Sequence, residues 1–147
     1  MSVWTYCKGT MCVIGSIGDL DIVNNMFGKE LTYDSSIEEW DEAIKHPEDY
    51  MPYGTEGSIH LRKTRRRKPL KSLYSDDIMY KKVYMIEGNL RSYNGHENDL
   101  VRWFSNLIFD IQKWPLKCLV VEARFEVEQL ARVEFNYKTE EDIYVEQ

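Results

Sequence analysis

The densest chemistry in the sequence is a run of cations. Arg62, Lys63, Arg65, Arg66, Arg67, Lys68 and Lys71 fall within ten residues that hold no acid. A guanidinium grips phosphate or carboxylate with two parallel hydrogen bonds and stays charged at any physiological pH. The run is therefore a candidate site for nucleic acid, a nucleotide-like small molecule or an acidic protein face. The ordinary alternative is a solvated loop, because like charges at this density repel one another and stay exposed. Net charge over the chain is −6, which excludes a uniformly basic nucleic-acid binder but allows a local basic patch.

Other groupings are sparser. His60, Glu87 and His96 are placed to converge at one end of a sheet, and a histidine beside a carboxylate is the minimal general acid–base pair. No nucleophile motif accompanies them, and Gly54-x-x-Gly57 is too short for a phosphate-cradling loop. The three histidines, His46, His60 and His96, and the three cysteines, Cys7, Cys12 and Cys118, show no metal-ligand spacing. Cys7 and Cys12, five apart on a strand, point to opposite faces. No metal and no cofactor are expected, and His60 and His96 are expected to be dispensable. Tyr50, Tyr53, Tyr74, Tyr80, Tyr84 and Tyr93 fall mostly in loops or at strand ends, where tyrosine serves as an interface residue or seals a small core. Tyr53 joins the basic run as a candidate binding residue.

The elements that must position these groups centre on Lys81–Phe125. Lys81–Leu90 is rich in β-formers. A helix then opens at Glu97 or Asn98, with Leu100, Val101, Phe104, Leu107, Ile108 and Ile111 on one stripe. Pro115 stops it, and Leu119 begins an alternating strand to Val127. Upstream, Val3–Ile14 reads as a central strand, apolar on both faces, with Gly9 marking a bulge or a close backbone approach. Asp19 to Phe27 is a short helix closed by Gly28. Ser36 with Glu39 forms a capping box, and Ile37, Trp40 and Ile44 form a narrow apolar stripe opposite the acidic Glu38, Asp41 and Glu42, the pattern of a solvated surface helix. Ser58–Arg62 is a strand with Ile59 and Leu61 inward. The basic run should project as a hairpin tip or long connection between Ser58–Arg62 and Lys81–Leu90, and Tyr74–Tyr80 reads as loop. Val133–Tyr137 closes a hairpin, and Ile143–Val145 is a candidate short strand.

That order is β-α-β-β-α-β, the ferredoxin-like split unit, with an inserted short helix and a C-terminal β extension. The expectation is one α+β domain over residues 1–147, with an antiparallel sheet and its helices on one face. The length is sufficient to bury roughly 68–70% of the unfolded surface. An alternative places the terminal hairpin in a second sheet. An odd set of unpaired cysteines, no leader-like start and no long apolar stretch point to a cytoplasmic protein away from membranes.

The opening Trp4-Thr5-Tyr6-Cys7, running through Gly9 to Gly15 and followed by a short helix ending near Phe27, resembles the Api92-like proteins of bacteriophages and mobile elements. Gly54-Thr55-Glu56-Gly57-Ser58 and Glu87-Gly88-Asn89-Leu90-Arg91 are similar to phage and prophage proteins as well. The resemblance implies a phage or prophage origin and action in the host bacterial cytoplasm. It implies no defined chemistry and carries over no site residues. The expected function is non-catalytic binding of a host component, a protein or an anionic ligand, in host interaction or anti-defence. The alternative is a nucleic-acid-binding accessory protein using residues 62–71, and a third reading is a small nucleotide-processing enzyme. A homodimer is compatible with each.

Overall fold

A computed structural model describes residues 3–32, 34–54, 56–63, 68–72, 78–91, 96–128, 132–139 and 144–146. Strand β1 (Trp4–Gly15) lies at the centre of one antiparallel sheet, between β4 (Ile78–Arg91) and β5 (Leu119–Glu128). β6 (Val133–Lys138) pairs with β5 and forms one edge. On the other side, β2 (Gly57–Lys63) pairs with the second half of β4, and β3 (Lys68–Ser72) pairs with its first half. β7 (Tyr144–Glu146) then pairs with β3. The sheet order is β6-β5-β1-β4-β3-β7, with β2 also on β4.

The α+β class holds, and the terminal hairpin lies in the main sheet. The sheet itself is wider than the expected split unit with an extension. Among the described residues it has seven strands, one of them β3, where the charge pattern predicts a projecting basic connection. β2 and β3 run in the same direction along one edge of β4, Lys63 opposite Tyr84 and Lys68 opposite Lys81. Part of the basic run is therefore strand. Backbone pairing on both sides decides it: Lys68–Lys71 pair with β4 and Leu70–Ser72 with β7. β4 also begins at Ile78, inside a segment that reads as loop, because Ile78–Lys81 pair with Lys68–Lys71 of β3, itself a strand that the charge pattern conceals.

Helices α1 (Ile17–Met26) and α3 (Glu97–Ile111) cover one face. Leu20 and Val23 of α1, with Leu100, Phe104, Ile108 and Ile111 of α3, are buried in one core with Met11, Val13, Ile86 and Phe125 of the sheet. Phe104 stacks on Phe125, with ring centroids 4.7 Å apart and planes 10° from parallel. Gly9 is a close approach and lies away from the sheet's irregularity, which falls between Cys12 and Val13. A Cβ on Gly9 would sit 2.7 Å from Phe125 Cδ2 and 3.1 Å from Ile86 Cγ1. The phenylalanine ring occupies the space a side chain would need.

Ser16 caps α1, its hydroxyl accepting the Asp19 N–H at 3.2 Å, so Asp19 lies in the first turn instead of at the cap. Gly28 closes the helix at φ +94°, a backbone conformation that favours glycine. Ser36 caps α2 (Ile37–Lys45) as expected, accepting from Glu39 N at 3.1 Å. α2 is a largely exposed surface helix, and of its narrow apolar stripe only Trp40 packs. Ala43 is buried against Leu31 and Tyr50, and Trp40 packs alongside. Ile37 and Ile44 are 80% and 69% exposed. α2 packs through Ala43 and Trp40 on Leu31, Tyr50 and Tyr53, residues that flank it in the chain.

Candidate functional site

No helix among those described lies over the second face of the sheet. Period-two alternation sends Trp4, Tyr6, Lys8 and Thr10 of β1 to that face, along with Met85, Glu87 and Asn89 of β4 and Ser58, His60 and Arg62 of β2. At one end this face is closed, where Ile14 and Met79 are buried with Val121 against them. At the other end it is open. There a trough of about 490 Å³ runs between β1, β4 and β2, walled by Trp4, Tyr6, His60, Arg62 and Met85. Trp4 is 45% exposed and Met85 40%. Gly57, at φ +87°, supports the indole, since a Cβ there would sit 2.9 Å from Trp4 Cζ3 and 2.0 Å from Asn89 O.

Electrostatics on this face are largely settled in pairs. Tyr6 Oη donates to Glu87 Oε1 at 2.8 Å. That bond holds the phenol above its ordinary pKa, because ionisation would lose the donor and set two anions side by side. Arg132 spans Glu126 at 2.9 Å, Glu134 at 2.8 Å and Glu128 at 3.8 Å. Its hydrogen bond is the first cause that holds Glu126 below the usual carboxylate range, and Glu126 in turn raises Arg132. Arg124 lies 3.5 Å from Glu122. Among the described residues, Lys8 and Arg62 make no close ion pair or side-chain hydrogen bond, although Lys8 lies opposite Glu126 and helps hold it ionised.

The predicted site residues fall in different places. Arg62 is exposed and lines the trough. Lys63 ends β2, while Lys68 and Lys71 belong to β3. Arg65, Arg66 and Arg67 lie outside the described residues. Tyr53 is far from this group in role. Its hydroxyl donates to Ala43 O at 2.9 Å and its ring meets Trp40 edge-on at 5.7 Å, which ties α2 to the following loop.

His60 and Glu87 are direct cross-strand partners, yet the imidazole turns elsewhere. Its Nδ1 lies 3.5 Å from Glu30 Oε2 and its Nε2 lies 3.3 Å from Ser58 Oγ. Glu30 Oε1 accepts the Leu61 N–H at 2.6 Å. Ser58 and His60 share a face because they are two apart on a strand, so their proximity follows from strand geometry alone. Both histidine contacts are long for hydrogen bonds. His96 instead lies 3.1 Å from Asp99 at the start of α3.

Among the described residues, no three His, Cys, Asp or Glu side chains group as metal ligands, and no helix is long and apolar enough to cross a membrane. Burial pushes the Cys7 thiol up to about 12 and the Cys118 thiol to about 11, and raises Cys12 as well. The three are free thiols with little thiolate at neutral pH. Lys82 is buried on the helix-covered face, where its ammonium donates to Asn24 Oδ1 at 3.0 Å and lies 5.5 Å from the Tyr84 ring centroid.

Sequence reasoning missed Trp4, Tyr6, Met85 and Ser58. The signal was present as the parity of β1, where Trp4, Tyr6 and Cys12 alternate with the core residues. Apolar character on both sides was read as burial on both sides. Compared with protein families, curated proteins and solved structures, the chain matches none.

Proposed function

We propose that this chain is a binding protein without catalytic chemistry, and that its partner lies across the open half of the uncovered sheet face. The observation that carries this reading is the exposure of Trp4 and Met85 on the two central strands. An apolar group left in water adds little to folding. A partner that removes it from water gains what folding did not use, and aromatics and methionine are enriched at such contacts.

The wider reading of the fold fits this role. Within the sheet, β5-β1-β4-β2 with α1 and α3 on one side supports a ferredoxin-like split unit as the nucleus, to which β3, β6 and β7 are added. Such a unit leaves one face free. The resemblance of the opening segment to phage and mobile-element proteins makes the partner a component of the host cell.

The test is retention from bacterial lysate on immobilised wild type and on a Trp4→Ala/Met85→Ser variant of unchanged thermal midpoint. A component held by the wild type and lost by the variant supports the reading. Equal retention by both, or none by the wild type, refutes it.

A further inference from the structure

Resting on the reading of the open face as the working face, we propose that the trough binds single-stranded RNA, with bases stacked on Trp4 and Tyr6 and phosphates on Lys8 and Arg62. Three features of the face support this occupant.

The first is spacing. Trp4 and Tyr6 are two residues apart on one strand, so their attachment points are separated by about 6.8 Å. That is about twice the 3.4 Å rise per nucleotide of a stacked strand. An extended single strand can therefore give one base to each ring, whereas a duplex keeps its bases stacked on one another. The Tyr6–Glu87 hydrogen bond leans the phenol across from β1 to β4 and fixes it as a platform. Gly57 leaves room for the indole beside it.

The second is charge. On this face Glu126 and Glu134 are paired with Arg132 and Glu122 with Arg124, while Glu87 accepts from the neutral Tyr6 hydroxyl and keeps its charge. Lys8 and Arg62 are the trough's cations; Lys8 lies opposite Glu87 and Glu126 in the sheet and helps hold Glu126 ionised, without a close ion pair among the described residues. Both cations line the same trough as Trp4 and Tyr6. Arg62 is also the first residue of the basic run in the sequence.

The third is the polar inventory, which separates RNA from DNA. Tyr6 engages one oxygen of Glu87, and the carboxylate still has acceptor capacity in the middle of the trough. Beside a phosphate backbone that capacity is repulsive unless a donor meets it. The ribose 2′-hydroxyl is such a donor, and deoxyribose has none. Asn89 and Ser58 line the same trough and offer groups for base edges.

The experiment is fluorescence anisotropy with the full chain, using a labelled twelve-nucleotide RNA of mixed sequence, the DNA of the same sequence, and the RNA duplex. The RNA single strand should bind, and the duplex and the DNA should bind more weakly. Trp4→Ala should weaken RNA binding about 5- to 140-fold, the span expected for one base–aromatic stack, and Trp4→Phe should restore most of it. The Lys8→Gln/Arg62→Gln variant should make the salt dependence shallower by about 1.4 in log–log slope, at roughly 0.7 per phosphate. Glu87→Gln should narrow the gap between RNA and DNA.

Several results overturn the proposal. These are no RNA binding, DNA or duplex bound as tightly as RNA, or RNA binding indifferent to Trp4→Ala. A dimer in sedimentation that Trp4→Ala dissociates would assign the face to a second copy instead. If RNA fails to bind while Trp4→Ala still abolishes retention of a lysate component, the open-face reading stands and the RNA assignment falls. If Trp4→Ala changes neither, both fall.

Discussion

On β1, Cys7, Met11 and Val13 are buried to 1% exposure or less beneath α1 and α3. Their immediate neighbours Tyr6, Thr10 and Cys12 look out from the other side of the same strand, over a face that no described helix covers. The strand spends the same backbone bonds on both faces, so what separates them is the removal of water from one side. The covered face holds the fold together, through the stack of Phe104 on Phe125 and the ring lodged over Gly9. The uncovered face keeps Trp4, Tyr6 and Met85 available. A side chain contributes to stability on one face and to recognition on the other, although one residue separates the two positions.

Breaking the covered face should have the largest effect. Phe104→Ala removes a ring that is 1% exposed and should cost about 3–5 kcal/mol of stability, read by urea denaturation. A loss below about 1 kcal/mol would mean that α3 does not hold the core. Gly9→Val comes next. Its side chain would enter the space of Phe125 Cδ2, and overpacking of this kind costs about 1–3 kcal/mol. Trp4→Ala, on the opposite face, should change stability by about 0.5 kcal/mol or less while altering binding. If Trp4→Ala destabilises as much as Phe104→Ala, the contrast between the faces is wrong.

The smallest effects sharpen the electrostatic side of the contrast. Arg132 lowers the folded-state pKa of Glu126 relative to its ordinary value of 4.5. The contribution is therefore present above that pH and is lost as pH falls through the lowered folded-state value. Arg132→Ala should remove this part of the acid sensitivity, seen as a flatter dependence of thermal midpoint on pH in the acid limb. The change should be slight because the groups are exposed and screened. On the covered face, Cys7 should react with a thiol reagent at pH 8 only at the rate of unfolding, since burial holds it protonated up to about 12. Rapid labelling of native protein at Cys7 would show that this side opens.

The sequence by itself determined the α+β class, the main strands and helices of the central unit, and the core face of α3. Leu100, Phe104, Leu107, Ile108 and Ile111 are all buried as their spacing requires. Ser36 and Gly28 stand at their helix ends for local reasons of hydrogen bonding and backbone sterics, which a short window of sequence contains. The tertiary structure alone decided which apolar residues outside that core are covered. Ile37 and Ile44 lie in water while Ala43 is buried, because the segments flanking α2, with Leu31 before it and Tyr50 after it, fold onto the Ala43 side of the helix. It also decided that Lys68–Ser72 is a strand, since that depends on which part of β4 lies beside it. Trp4 and Tyr6 belong to an open face for the same reason. Alternation assigns a residue to a side of the sheet, but whether another layer covers that side depends on elements far along the chain.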